Sequence, residues 1–103
     1  MGVIAKYVKA AAERKRYSID YSNWLDTGEA VGSVTFTVNV ATTPPLVVDG
    51  VQVTPDAQGV QYYVSGGVDG QAYIVTATLQ TTLQAINSQV KLDDIFFTVR
   101  EPA

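Results

Sequence analysis

Residues 65–76 read SGGVDGQAYIVT, and this stretch decides the fold. Its three glycines are Gly66, Gly67 and Gly70. A phosphate-binding loop of this type would open a helix, with backbone N–H groups and a basic side chain facing the anion. Residues 65–76 contain no lysine or arginine, and Asp69 would repel a phosphate. The glycines are therefore predicted to turn the chain between two strands, because glycine adopts positive φ without steric cost.

On both sides of this turn, apolar residues alternate with other residues at a period of two. In AYIVTATLQT (72–81), one face carries Tyr73, Val75, Ala77 and Leu79. The same alternation occurs in RYSIDYS (16–22), VGSVTFTVNV (31–40) and DIFFTVR (94–100). This alternation indicates half-buried strands. Because turn sequences separate these runs at intervals of roughly 8–12 residues, we predict an all-β, immunoglobulin-like β-sandwich of about seven strands.

Tyr73 would stand near the start of a late strand. Immunoglobulin-like sandwiches carry a tyrosine at this place, and its hydroxyl bonds back to the backbone a few residues upstream. The sequence therefore predicts a structural corner between the two sheets. The corner residues are Gly66, Gly67, Gly70 and Tyr73.

Other connections carry turn chemistry of their own. Asp49-Gly50 lies inside VVDGVQV (47–53) and predicts a hairpin, since this dipeptide favours a tight turn between strands. TPDAQG (54–59) predicts a further turn. LQAINSQ (83–89) fits either a long hairpin loop or a short helical turn.

Charge is distributed unevenly along the chain. The first 16 residues hold five basic residues and one acid, a net charge of +4, whereas the other 87 hold two basic residues and nine acids, a net charge of −7. We therefore predict an N-terminal basic arm (1–15) and a sandwich domain (16–103). The arm is expected to be extended or weakly helical until it docks on an acidic protein surface, the alternative being a solvated terminus. The predicted interface residues are Lys6, Tyr7, Lys9, Arg14, Lys15 and Arg16.

The composition argues against catalysis and ligand chemistry. The chain has no histidine and no cysteine, so it lacks the commonest general base, the commonest metal ligand and any thiolate. Asp93 and Asp94 would point to opposite faces of a strand, and a solvated loop or edge is predicted for them rather than a metal site. No catalytic, cofactor, metal or small-molecule site is predicted. An acidic body offers no groove for nucleic acid, and no apolar run approaches the roughly 18 residues of a membrane span.

The aromatic residues leave one alternative open. Trp24 either closes one end of the core or anchors an interface, and burial is favoured because the neighbouring Leu25 needs burial too. Tyr62 and Tyr63 are adjacent, so one of them is expected to face outward from its strand. An outward tyrosine is a modest indication of an interface.

Two motifs in a fixed order carry a resemblance to a known family. They are WLDTGE (24–29) and SGGVDGQAY (65–73), set among strands within 17–31, 33–38, 60–82 and 96–102. This layout resembles the bacteriophage fiber–tail adaptors, which are small virion proteins. The resemblance implies an immunoglobulin-like sandwich without catalysis that joins a host-recognition fibre to the tail or neck. It further implies other virion proteins as partners, multiple copies around a symmetric axis, and assembly into the virion in the bacterial host cytoplasm.

Two alternatives to fibre attachment remain. One is a cell-surface or carbohydrate-binding module, which would use exposed aromatic residues; the other is a capsid decoration or neck protein. Deletion of residues 1–15 is expected to leave a folded sandwich that no longer enters particles.

Overall fold

Seven strands make up the fold of the residues that the computed structural model describes, which are 2–25, 29–81 and 89–100. The strands are β1 (Gly2–Lys9), β2 (Arg14–Asp20), β3 (Val31–Val38), β4 (Leu46–Val53), β5 (Gly59–Gly66), β6 (Ala72–Thr81) and β7 (Val90–Val99). They form a four-stranded sheet in the order β1-β7-β6-β3 and a three-stranded sheet in the order β2-β5-β4. The predicted all-β sandwich of about seven strands is confirmed, and the strand order is compatible with an immunoglobulin-like arrangement.

The first strand pairs with the last. β1 lies parallel to β7, with Tyr7 opposite Phe97 and Lys9 opposite Val99, whereas every other strand pair is antiparallel. A turn then carries the chain to β2 at the edge of the other sheet, closed by a Glu13 N–H to Ala10 carbonyl bond of 3.1 Å. The structure thus places residues 2–9 of the predicted arm in a sheet as an extended strand. The boundary at residue 15 stays a prediction.

The core follows the predicted alternation. The inward residues of β6 and β7 are almost entirely inaccessible to solvent, and they include Val75, Leu79, Ile95 and Phe97. Burying a side chain of this size stabilises the fold by roughly 1.5–3 kcal/mol. Three rings join the sheets at one side: Tyr7 lies 4.5 Å from Tyr17 and 5.5 Å from Phe97, measured between ring centroids. These contacts hold the edge strands β1 and β2 on the same side of the sandwich.

The hairpin predicted at Asp49-Gly50 is wrong. β4 continues through both residues, and Gly50 and Val51 together lie opposite one residue of β5, which is a β-bulge. Gly50 has φ of 59°, a conformation that serves a bulge as well as a tight turn. The chain reverses instead at TPDAQG (54–59), where the predicted turn is confirmed by a Thr54 N–H to Gly59 carbonyl bond of 3.0 Å. The alternatives for LQAINSQ (83–89) lie outside the described residues, apart from Gln89.

Candidate functional site

The predicted corner residues lie together at one end of the sandwich. Gly66, Gly67 and Gly70 all have positive φ. The Gly67 N–H donates to the Pro45 carbonyl at 3.0 Å, and the Gly70 N–H donates to the Val99 carbonyl at 2.7 Å. Both N–H groups already donate hydrogen bonds within the fold, so neither is available to bind a phosphate.

Tyr73 ties this corner to a second loop through a directed chain of hydrogen bonds. The Val68 N–H donates to the Tyr73 hydroxyl at 2.9 Å, and that hydroxyl lies 2.7 Å from Thr42 Oγ1. Since Thr42 Oγ1 donates its own proton to the Pro44 carbonyl at 2.8 Å, the Tyr73 hydroxyl is the donor to Thr42. The phenol therefore acts as both acceptor and donor between two loops.

Tyr73→Phe is expected to lower the free energy of unfolding by about 1–3 kcal/mol, because it leaves the Val68 N–H without its acceptor. Chemical denaturation followed by circular dichroism measures the change. Tyr63→Phe is the matched control, since Tyr63 is only half-buried on the outer side of β5. A Tyr73→Phe protein as stable as the Tyr63→Phe control would contradict the role of the hydroxyl.

The six predicted interface residues do not share one surface. Lys9 is only 1% exposed, and its Nζ donates to the Gly66 carbonyl at 2.8 Å, so this lysine joins β1 to the corner. Tyr7 is half-buried against Tyr17. The other four are exposed on the edge strands β1 and β2, and we call them the basic edge. These residues are Lys6, Arg14, Lys15 and Arg16.

Within the basic edge, two residues are already engaged. Arg14 lies 3.1 Å from a carboxylate oxygen of Asp49 and 4.1 Å from the ring centre of Tyr63. Exposed pairs of this type contribute at most about 1 kcal/mol. Lys6 lies 5.8 Å from the Phe96 ring. Lys15 and Arg16 make no ion pair among the described residues, so their charge faces solvent and any partner.

A cleft of about 260 Å³ opens between the sheets beside β1 and β2. Aliphatic and aromatic side chains form about half of its wall: Ile4, Ala5, Tyr7, Ile19, Trp24, Tyr62 and Ile95. Its polar residues are Ser18, Asp20, Tyr21, Asn23, Lys91 and Asp93. Sequence reasoning missed this cleft, because its residues come from segments that only the fold brings together.

The predicted solvated position is wrong for Asp93. Asp93 is 2% exposed and accepts a hydrogen bond of 2.9 Å from Lys91 Nζ. The reason is that β7 begins at Val90, earlier than the alternation indicates, so Asp93 continues the inward face of Ile95. Asp94 points the other way and accepts a bond of 2.9 Å from Thr76 Oγ1, as expected for adjacent residues of a strand. The sequence does contain a signal for this buried ion pair, because Lys91 and Asp93 carry opposite charges and are two positions apart.

Tyr21 is among the residues that line the cleft, and its hydroxyl is enclosed by the protein. Its side chain is 2% exposed, and its hydroxyl has no hydrogen-bond partner. Burial, with a smaller contribution from the negative charge of Asp93, raises the pKa of Tyr21, so the hydroxyl stays protonated. A neutral, buried hydroxyl with unused bonding capacity therefore lies next to an ion pair.

Trp24 lies at the border between the core and this cleft. Its half-buried ring packs against the core cluster, lines the cleft and has Lys91 Nζ 5.7 Å from its centre. Tyr62 is buried and its neighbour Tyr63 is half-exposed on the opposite face, as the alternation predicts. Tyr63 thus lies beside Arg14 of the basic edge, whereas Trp24 lies beside Lys91.

Neither a cluster of potential metal ligands nor a membrane-spanning helix occurs in the described part of the chain. Residues 2–25, 29–81 and 89–100 contain no cluster of three or more acidic side chains that could hold a metal ion. Within the same ranges there is no helix long and apolar enough to span a membrane.

Comparison with known proteins bears on the identity of the chain. The family model described as podophage GP4 fiber-tail adaptor protein gp77 matches residues 9–92, which is most of the chain and extends from the end of β1 into β7. A search of curated proteins gave no match. The resemblance drawn from WLDTGE (24–29) and SGGVDGQAY (65–73) is thus confirmed by a match that contains both motifs. The chain belongs to the podophage GP4 fiber-tail adaptor family represented by gp77.

Proposed function

We propose that this chain is a non-catalytic virion structural protein that attaches a host-recognition fibre to the tail or neck of a phage. The family match over residues 9–92 carries this proposal. Membership of the family itself makes the chain a tail adaptor and a virion component that interacts with other tail or fibre proteins. The sandwich measures 46 × 23 × 19 Å, so it suits a spacer between two partners.

The charge distribution supports docking of a partner at the basic edge. Lys15 and Arg16 are exposed on β2 without ion pairs among the described residues, while residues 17–103 carry a net charge of −7. An acidic partner is therefore attracted to the basic edge and repelled by the rest of the surface. We propose residues 1–15 as the contacting arm and 16–103 as the body. The same proposal includes multiple copies around a symmetric axis and assembly in the bacterial host cytoplasm.

Charge reversal tests this docking side. Arg16→Glu is expected to reduce incorporation into particles about tenfold or more, because like charges placed across an interface cost several kcal/mol. Arg100→Glu, an equal change of charge at an exposed residue outside the basic edge, is the matched control and is expected to leave incorporation unchanged. Complementation of an adaptor-deficient phage, with quantitative mass spectrometry of purified particles, measures both variants.

The same particles test fibre attachment. Particles that lack the adaptor are expected to lack the host-recognition fibre as well. Normal fibre content in adaptor-free particles would contradict the proposed function. Equal loss of incorporation for Arg16→Glu and Arg100→Glu would reject the basic edge as the docking side.

A second candidate function is recognition of a cell-surface glycan. It is favoured by one observation, which is the group of aromatic rings around the cleft. A glycan array with the native protein tests it, and specific binding that Trp24→Ala abolishes would support it. A decoration role on the capsid would instead place the protein on the shell in electron cryomicroscopy of the particle.

A further inference from the structure

Few buried side chains attach the strand β1 to the sandwich. It lies at the edge of its sheet, and β7 is the only described strand with which it pairs. Ile4 and Val8 are 43% and 64% exposed, although both are apolar. Tyr7 is half-buried, and Lys9 alone among residues 4–9 is fully buried. Because local opening costs less where less apolar surface is buried, β1 is expected to detach more readily than the central strands.

Lys9 holds the end of β1 through hydrogen bonds rather than through apolar burial. Its Nζ donates to the Ala10 carbonyl at 2.6 Å and to the Gly66 carbonyl at 2.8 Å. Its own carbonyl accepts the Arg100 N–H at 2.8 Å. Burial of an ammonium group is costly, and departure of β1 returns this group to water. These bonds therefore fix where β1 lies, but hydration of the ammonium group offsets part of their loss when β1 leaves.

The turn between β1 and β2 is not specified by its own sequence. It is closed by the Glu13 N–H to Ala10 carbonyl bond of 3.1 Å and by a bond of 2.8 Å from the Ala10 N–H to the Glu13 carboxylate. Residues 10–13 read AAAE, without the glycine, proline, asparagine, aspartate or serine that favour turns. Alanine and glutamate favour helix instead. This segment can therefore straighten without loss of a preferred turn, and a straight segment carries β1 away from its own β7.

Departure of β1 leaves a site that is complementary to β1 itself. We call this site the seat, and it consists of the free edge of β7, the rings of Tyr17 and Phe97, and the Gly66 carbonyl. The Tyr7 ring lies 4.5 Å from the Tyr17 ring and 5.5 Å from the Phe97 ring, between centroids, and Lys9 reaches Gly66 at 2.8 Å. A segment that fills the seat therefore carries an aromatic residue two positions before a lysine. A second copy of this chain supplies that segment.

We propose that β1 is an exchangeable strand, which leaves its own β7 and pairs in parallel with the β7 of a neighbouring copy. The strand makes the same contacts in both arrangements, so the conformation of residues 10–13 and the concentration of neighbouring copies decide between them. In dilute solution each chain fills its own seat, whereas copies held side by side exchange strands. This proposal goes beyond the proposed function, which provides multiple copies but no contact that joins them. Only the side-by-side arrangement in a particle rests on that function.

Cysteine pairs test exchange in purified protein, because the chain has no cysteine of its own. Val8 and Thr98 lie opposite each other in β1 and β7, the first exposed and the second half-buried. Two separate proteins, Val8→Cys and Thr98→Cys, are mixed at about 1 mM, the order of the effective concentration of a tethered segment. After incubation in a glutathione buffer, peptide mass spectrometry measures the disulfides that join position 8 of one chain to position 98 of another.

Thr35→Cys mixed with Thr78→Cys is the matched control. These residues lie opposite each other in β3 and β6, again one exposed and one half-buried, so collision links them as readily as the first pair. The 8-to-98 link is expected to be about tenfold or more as abundant as the 35-to-78 link, because exchange holds the first pair together. Tyr7→Ala in the Val8→Cys chain is expected to lower the yield, since this chain fits the seat less well. Equal yields from the two pairs would overturn exchange.

Hydrogen exchange of the native protein gives a second measurement. The β1 amides that bond to β7 are expected to exchange about tenfold or more faster than the β3 amides that bond to β6. β3 is the comparison because it lies at the opposite edge of the same sheet but buries Val31 and Val34. Exchange in β1 no faster than in β3 would overturn the proposal, since β1 would then be attached as firmly as a strand with a buried apolar face.

The outcomes also separate strand exchange from the adaptor role. An excess of 8-to-98 links combined with normal fibres on adaptor-free particles would reject the proposed function and support exchange. Loss of fibres from adaptor-free particles combined with equal yields from the two cysteine pairs would reject exchange alone.

Discussion

Phe97→Ala is expected to lower the free energy of unfolding by about 3–5 kcal/mol, the range for removal of a buried phenylalanine side chain. Phe97 is 0% exposed, and its ring lies 5.5 Å from Tyr7 and 5.1 Å from Tyr17 between ring centroids. The ring thus contacts the first strand of each sheet. Because the total stability of a domain is about 5–15 kcal/mol, this single change removes a large share of it.

Phe96→Ala is the control for this experiment. Phe96 is the preceding residue of β7 but faces outward and is only half-buried, so a loss of about 1 kcal/mol is expected. Guanidinium denaturation of both variants, with the slope compared to that of the native protein, measures the difference. Equal losses would contradict the assignment of Phe97 to the inner face of β7.

Gly66→Ala is expected to lower the free energy of unfolding by about 2–4 kcal/mol, through backbone strain and overpacking together. Gly66 has φ of 74°, and an added Cβ would overlap the Pro45 carbonyl oxygen. That oxygen is held in place, since it accepts the Gly67 N–H at 3.0 Å. The Gly66 carbonyl also accepts a bond from Lys9, so the change disturbs the attachment of β1.

Gly70→Ala separates these two causes. Gly70 has φ of 86°, but an added Cβ would meet no atom within 4 Å, so only the backbone strain of about 1–2 kcal/mol is expected. Thermal and chemical denaturation of the two variants give the comparison. A Gly70→Ala variant as unstable as Gly66→Ala would show that the left-handed backbone, rather than the contact with Pro45, determines the requirement for glycine.

The sequence predicts the sandwich itself because its central strands follow simple alternation. Tyr73 and Val75 lie on one face in the sequence pattern, and both are buried in the structure. The error at Asp49-Gly50 has a local cause, since a positive φ at Gly50 fits both a tight turn and a bulge. Only the pairing of β4 with β5, which involves residues distant in sequence, distinguishes the two.

The edge strand β1 and the cleft could not be predicted from the sequence, for a different reason. In β1 the inward position at Lys9 is charged and the outward position at Val8 is apolar, the reverse of the usual alternation. Asp93 breaks the pattern of β7 in the same way, because Lys91 neutralises it inside the fold. Where a buried polar side chain finds its partner only in the folded protein, hydropathy alone predicts that it lies on the outer face of its strand, and this prediction is wrong.

The parallel pairing of β1 with β7 also imposes an order on biogenesis. Lys9 lies opposite Val99, so β1 has to wait for β7, which is synthesised after the other six described strands. Contacts between such distant positions form slowly, because the intervening chain has to close a long loop first. Asp93 and Ile95 of β7 line the cleft, so a nascent chain that has not yet reached β7 has no complete cleft. A chain whose synthesis has not reached β7 therefore lacks both the pairing partner of β1 and one wall of the cleft.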